Sequence, residues 1–151
     1  MKNYNSHSTE QQEAGKIIFQ KVKEWLDIEL VEEAKIILGK DIFTHIEPDF
    51  YSEEHLIVGE IFSHIGKAKK TQDNKIAFDI LKMLLLEKVT NKKYRKILVV
   101  CDETEYKHLN GKSVLAESIR QYGIEVKMID IESELRDKIV SAQERQVMVN
   151  K

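Results

Sequence analysis

Residues 47–67 read EPDFYSEEHLIVGEIFSHIGK, and the assignment of the whole chain turns on them. LIVGEIF (56–62) has the β-branched and aromatic content of a strand. Its glycine, Gly59, predicts a bulge or a close backbone approach. Glu60 stands inside this apolar run, and Asp49 follows Pro48, the one proline of the chain. An ionised carboxylate in an apolar strand costs several kcal/mol unless something compensates it. On a period-two strand Glu60 shares a face with Val58 and Phe62, so compensation has to come from outside the strand. Two forms of it are open: a divalent cation shared with Asp49, since hard metals take carboxylate oxygens, or an edge position where Glu60 meets solvent or a lysine.

Outward from this stretch, amphipathic helices alternate with short strands. Ala14, Ile18, Val22, Trp25 and Leu26 recur at helical spacing, with Ser8 or Thr9 as caps. VEEAKIIL is ambiguous between helix and strand, and IFTHI (42–46) reads as a strand. Pro48 marks a strand entry or edge, because it has no N–H for a ladder. From Thr71 to Val89, Ile76, Ala77, Ile80, Leu81, Leu84 and Leu85 predict a helix with a broad apolar face. KILVVC (96–101) reads as a buried strand of a parallel or mixed sheet. KSVLAESIRQY is a helix ended by Gly123, IEVKMIDI (124–131) a strand, and SELRDKIVSAQERQVMV a final helix capped by Ser133. The fold class is α/β: a flexible segment over 1–8, then one domain over 9–151 with a central mixed β-sheet flanked by helices.

Composition narrows the function classes. The chain has 151 residues, 42% hydrophobic and 33% charged, which suits one globular domain and excludes a mainly disordered chain. A net charge of −2 gives no sign of a strongly basic nucleic-acid binder. A single cysteine, Cys101, excludes an internal disulfide and a cysteine-rich zinc site, so a reducing cytoplasm is the expected location. The apolar runs are too short for a membrane span.

The order of elements adds a resemblance. Pro48-Asp49, then some ten residues, then Glu60 on a strand followed by a helix, resembles the PD-(D/E)xK nuclease superfamily, which includes many restriction endonucleases and Holliday-junction resolvases. The likeness is topological over 9–131 and reaches motif level over 48–82. It implies a restriction endonuclease-like fold and a Mg²⁺ (or Mn²⁺) ion held by Asp49, Glu60 and the backbone carbonyl of Ile61. It also implies hydrolysis of DNA phosphodiester bonds. The family's lysine, two residues after the second acid, is replaced here by Phe62. Some members carry that lysine on the following helix, where Gln72, Lys75, Asp79 and Lys82 form a polar strip. Lys75 is the expected replacement, Lys67 the second choice, and Gln72 resembles an accessory site residue of resolvase-like members. The first helix offers Glu13 and Glu24, with neither assigned to the family's helix-borne acid.

Other signals are weaker. NGKS (110–113) lacks the first glycine of a phosphate-binding loop, Tyr106 standing there, so a turn and helix start is the expected reading. Asp102, Glu103 and Glu105 lie beyond KILVVC as solvated loop charges or an acidic rim. His64 is expected to be structural or exposed. Lys67, Lys69 and Lys70 make a small basic patch suited to a nucleic-acid backbone. Besides the nuclease, two readings stay open: a catalytically degenerate scaffold acting through protein contacts or as a homodimer, and a nucleotide-binding domain using the KILVVC half.

Overall fold

A computed structural model describes residues 9–149, so the flexible segment expected over 1–8, with the Ser8 cap, falls outside the described residues. Helix α1 (Thr9–Leu26) leads into strand β1 (Val31–Glu32), a hairpin of β2 (Ile36–Gly39) and β3 (Ile42–Ile46), and strands β4 (Phe50–Ser52) and β5 (Ile57–Phe62). Helix α2 (Lys70–Thr90), strand β6 (Arg95–Val100), helices α3 (Glu103–Leu109) and α4 (Val114–Gln121), strand β7 (Glu125–Met128) and helix α5 (Ser133–Val149) follow. The main sheet has the order β1-β4-β5-β6-β7. Its β1/β4 and β4/β5 pairs are antiparallel and its β5/β6 and β6/β7 pairs parallel. The α/β class with a mixed sheet flanked by helices therefore holds. The β2–β3 hairpin forms a separate two-stranded sheet, so IFTHI is a strand but not one of the central sheet.

Strand alternation divides the interior in two. Ile57, Ile97 and Val99 face α1 and α5, packing with Ala14, Ile18, Val22 and Ile139. Val58, Phe62, Leu98 and Val100 face the opposite way, onto Ile76, Ile80, Met83 and Leu86 of α2, Leu109 of α3 and Ile119 of α4. The buried stripe of α2 is narrower than its composition suggests: Ala77, Leu81 and Leu85 turn outward, and Phe78 is 61% exposed. A helix lying on one sheet face buries only the residues at i, i+4, i+7 and i+10 of that line.

Gly59 resolves as a close approach rather than a bulge. It pairs with Phe50 across β4 and β5, and a Cβ at Gly59 would fall 1.9–2.5 Å from the fully buried Phe50 ring. That contact fixes the register of the two strands and, with it, the height of Asp49 beside β5. Two ion pairs in the C-terminal half of α2 set its position on the sheet. Lys82 Nζ lies 3.0 Å from Glu60 Oε1, and Lys96 Nζ of β6 lies 2.9 Å from Glu87 Oε1. Strand acid meets helix base and strand base meets helix acid, which disfavours sliding the helix by a turn.

Beyond β6 the acidic stretch is helix, not loop: Asp102 caps α3 by accepting the Thr104 N–H at 3.1 Å. Ser133 is the first residue of α5. Among the described residues, no helix is long and apolar enough to cross a membrane.

Candidate active site

Asp49 sits just ahead of β4, in the turn that Pro48 opens. The Ile61 N–H donates to Asp49 Oδ2 at 2.7 Å, so the carboxylate lies against β5 at the residue after Glu60. The contact runs through the Ile61 N–H, not through the carbonyl that the resemblance implies as a ligand. Glu60 is buried at 5% exposure on a strand flanked by β4 and β6. β5 is therefore not an edge strand, but the lysine partner expected under that alternative is present, Lys82 Nζ lying 3.0 Å from Glu60 Oε1. The Glu60 carboxyl group is within hydrogen-bonding contact of the Asp49 side chain. The two acids, eleven residues apart in sequence, meet beside β5.

The cation beside them is Lys82. Its ammonium lies 3.0 Å from Glu60 Oε1 and 3.1 Å from Asp79 Oδ1. Lys75, the expected replacement lysine, is exposed one turn before Asp79 and acts on the Asp79 carboxylate through space. Lys67 is exposed in the β5–α2 loop, where its carbonyl oxygen lies 3.3 Å from His64 Nε2. Phe62 fills the family's lysine position as a core residue packed under α2, 5.7 Å from the His64 ring. The substitution exchanges a strand lysine for an apolar anchor, and the charge arrives from the helix above.

Gln72 does not reach the carboxylates in any recorded contact. Its amide oxygen accepts the Lys69 N–H at the start of α2, and its amide nitrogen lies 3.1 Å from His64 Nδ1. It closes the first turn of the helix and ties it to the loop. His64 is half-buried, and that burial lowers its pKa.

The electrostatics of the cluster follow from burial. Desolvation, reinforced by Asp49 and Asp79 and opposed by Lys82, pushes Glu60 up to about 9. Burial also raises Asp79, although Lys75 and Lys82 pull the other way. For Lys82, burial lowers the pKa, but the carboxylates of Glu60 and Asp79 more than offset it. At neutral pH Glu60 therefore holds a proton. Removing that proton puts a negative charge where burial and the neighbouring acids disfavour it. A proton therefore stands where a bound cation would serve the same purpose.

Among the described residues, no set of three or more His, Cys, Asp and Glu side chains is arranged to hold a metal ion. The NGKS stretch is spent on local structure, because Ser113 Oγ caps α4 by accepting the Ala116 N–H at 3.0 Å. Two features escape a reading of the sequence alone. One is the identity of the contacting lysine, already visible in the strip Gln72–Lys82 but not singled out. The other is Glu105, a wholly buried acid in a stretch that reads as solvated charge. No family model, curated protein or solved structure matches the chain.

Proposed function

We propose that the chain is a divergent PD-(D/E)xK, restriction endonuclease-like protein that hydrolyses DNA phosphodiester bonds with Mg²⁺ or Mn²⁺. The observation that carries this reading is the Lys82 ammonium 3.0 Å from Glu60 Oε1, with Asp49 adjoining. The charge that Phe62 cannot provide reaches the second acid from the following helix, as in the members whose lysine has moved.

The donor set suits a hard divalent cation on two grounds. Its adjoining groups are carboxylates rather than thiolates or imidazoles, and burial beside Asp49 and Asp79 leaves the ionised form of Glu60 short of countercharge even with Lys82 at hand. Asp49, Glu60 and the Ile61 carbonyl would hold the ion. When bound, it supplies a polarised phosphoryl oxygen and a more acidic water. The chain's own residues do the rest. Lys82 stabilises charge developing on the phosphate and orients the attacking water, while Asp79 fixes the ammonium in place. Lys75, with Lys67, Lys69 and Lys70, gives an approaching phosphate backbone a cationic path.

Because Glu60 must lose its proton before it can act as a ligand, cation binding and cleavage rise together with pH between neutrality and about 9. The test is nicking of supercoiled, branched and single-stranded DNA with Mg²⁺ or Mn²⁺ at pH 7 and pH 9. Asp49→Asn, Glu60→Gln and Lys82→Met each lose at least about a hundredfold. Cleavage that persists in all three variants, or none with any substrate and either ion, removes the nuclease reading.

A second reading is a catalytically degenerate scaffold acting through protein contacts, as a homodimer or with another protein. It is favoured by the exposed apolar residues Ile37 and Phe43 on the hairpin and Phe78 and Leu81 on α2. Under it, Asp49→Asn and Glu60→Gln leave partner binding intact.

A further inference from the structure

Glu105 is the second buried acid of the chain, and nothing in the site above uses it. It lies in α3 with no exposed surface, and both its carboxylate oxygens lack a hydrogen-bond partner among the described residues. Buried side-chain oxygens are nearly always partnered, so two orphans on one carboxyl mark a position built at a cost.

The groups that face it are known from each neighbouring element. On α3 itself His108 favours the ionised form, whereas Asp73 of α2 and Asp102 at the end of β6 oppose it. His108 is engaged with Asp73, its Nε2 lying 3.0 and 3.1 Å from the two carboxylate oxygens. Asp102 is engaged with Arg136 of α5 and with the Gly66 N–H. The remaining charges of α4 and β7 are spent elsewhere. Arg120 bonds Glu117, Glu125 bonds Arg95, and Lys127 lies over the Trp25 ring. Glu105 thus has no countercharge of its own.

We propose that Glu105 is a proton-operated latch that keeps α3 seated on β7 and α4 while neutral and releases it when ionised. The release follows from solvation: an ionised carboxylate without a partner is far more stable in water than in this pocket. The neighbouring structure makes the release local. α3 has seven residues, too few to hold as a helix without its packing, and its polar tie to α2 is the Asp73–His108 contact, beside the apolar Leu109. Opening breaks that contact and loosens the Asp102 hub, which holds Gly66 in the loop leading to α2. The device stands whether or not the Glu60 site cleaves DNA. Burial, with Asp73 and Asp102 adding and His108 opposing, places the Glu105 transition at about 7, inside the range a cell visits.

Amide hydrogen exchange of residues 103–109 in the full chain, corrected for intrinsic rate and read against the amides of α2, tests this. The exposed, open form titrates near 4.5 and the closed form near 7, so opening becomes about tenfold more frequent per pH unit between them and levels off above. The expected result is a loss of protection of about a hundredfold from pH 5 to pH 7.5. Glu105→Gln, neutral at every pH, keeps α3 equally protected throughout. Flat protection in the unmodified chain, or the same pH-dependent loss in Glu105→Gln, which would assign it to His108, overturns the latch. Should the Gln variant not fold, the carboxyl-carbon NMR titration of Glu105 in the unmodified chain decides: a midpoint near neutrality supports it, and one near 4.5 overturns it.

Discussion

Glu60 and Glu105 are both buried acids on the α2 side of the molecule, yet their surroundings differ in kind. Glu60 has Lys82 at 3.0 Å, Asp49 alongside and Asp79 beyond. Glu105 has two bare oxygens. A long helix can carry a lysine two turns above a strand and anchor it at a second point, here through Glu87 and Lys96. A seven-residue helix at the sheet's end has no such reach. The contrast separates a buried acid with a cationic partner from one with none.

The strongest way to break this contrast is to make Glu60 resemble Glu105. Lys82→Met removes the ammonium and keeps the stem. Breaking a fully buried pair costs about 3–5 kcal/mol, and the partly solvated Lys82 brings this down to about 2 kcal/mol at pH 9. Folded Glu60 keeps its proton up to about 9, while an unfolded glutamate loses it near 4.5. The folded state therefore binds more protons across that window, and stability falls as pH rises through it. Lys82→Met carries the fall on past pH 9, because Glu60 then ionises still less readily. Urea denaturation at pH 6 and pH 9 measures it: the variant's deficit has to be larger at pH 9. An equal deficit at both values would mean that Lys82 stabilises through its stem alone.

Much of this geometry is legible in sequence, and the part that is not has a physical reason. Alternation in LIVGEIF places Glu60 on one face with Val58 and Phe62, and that face is the one α2 covers. Pro48 and Gly59 mark the turn and the close strand contact that bring Asp49 to Ile61. What alternation cannot give is the axial position of α2 over β5. Lys75 and Lys82 share a helix face about 10 Å apart, and sliding the helix by two turns exchanges them. The choice rests on Lys96 meeting Glu87 across the α2–β6 turn, nine residues back, a pairing that neither the helical pattern nor the otherwise apolar KILVVC announces. Glu105 is hidden for the opposite reason. Nothing in DETEYKHL distinguishes the buried Asp102 and Glu105 from the exposed Glu103, because their surroundings are made by segments remote in sequence, β7 and α4 against α3 among them.

A smaller perturbation probes the strand side. Gly59→Ala leaves every charge in place but drives a methyl into the Phe50 ring, and Phe50 is fully buried. Overpacking of this kind costs about 1–3 kcal/mol, and Phe50→Leu in the same chain is expected to return part of it. Thermal denaturation of the single and double variants gives the stability, and NMR of the Ile61 amide reports whether its bond to Asp49 survives. If Gly59→Ala is as stable as the unmodified chain and the amide is unmoved, the strand contact does not position Asp49.

The finest test concerns the two lysines themselves. Lys75 is exposed and reaches Asp79 through space, so its charge is screened by water and salt. Lys75→Ala should change stability by less than about 0.5 kcal/mol, and its effect on Asp79 should shrink further in 0.5 M salt. Any cleavage should fall only a fewfold, through weaker capture of the phosphate backbone, and the loss should appear in KM rather than kcat. Lys82→Met should act on kcat, because its ammonium sits against the carboxylate pair. A loss in Lys75→Ala equal to that in Lys82→Met would mean that α2 moves along β5 when substrate binds, and that the lysine at rest beside Glu60 is not the one that acts on the phosphate.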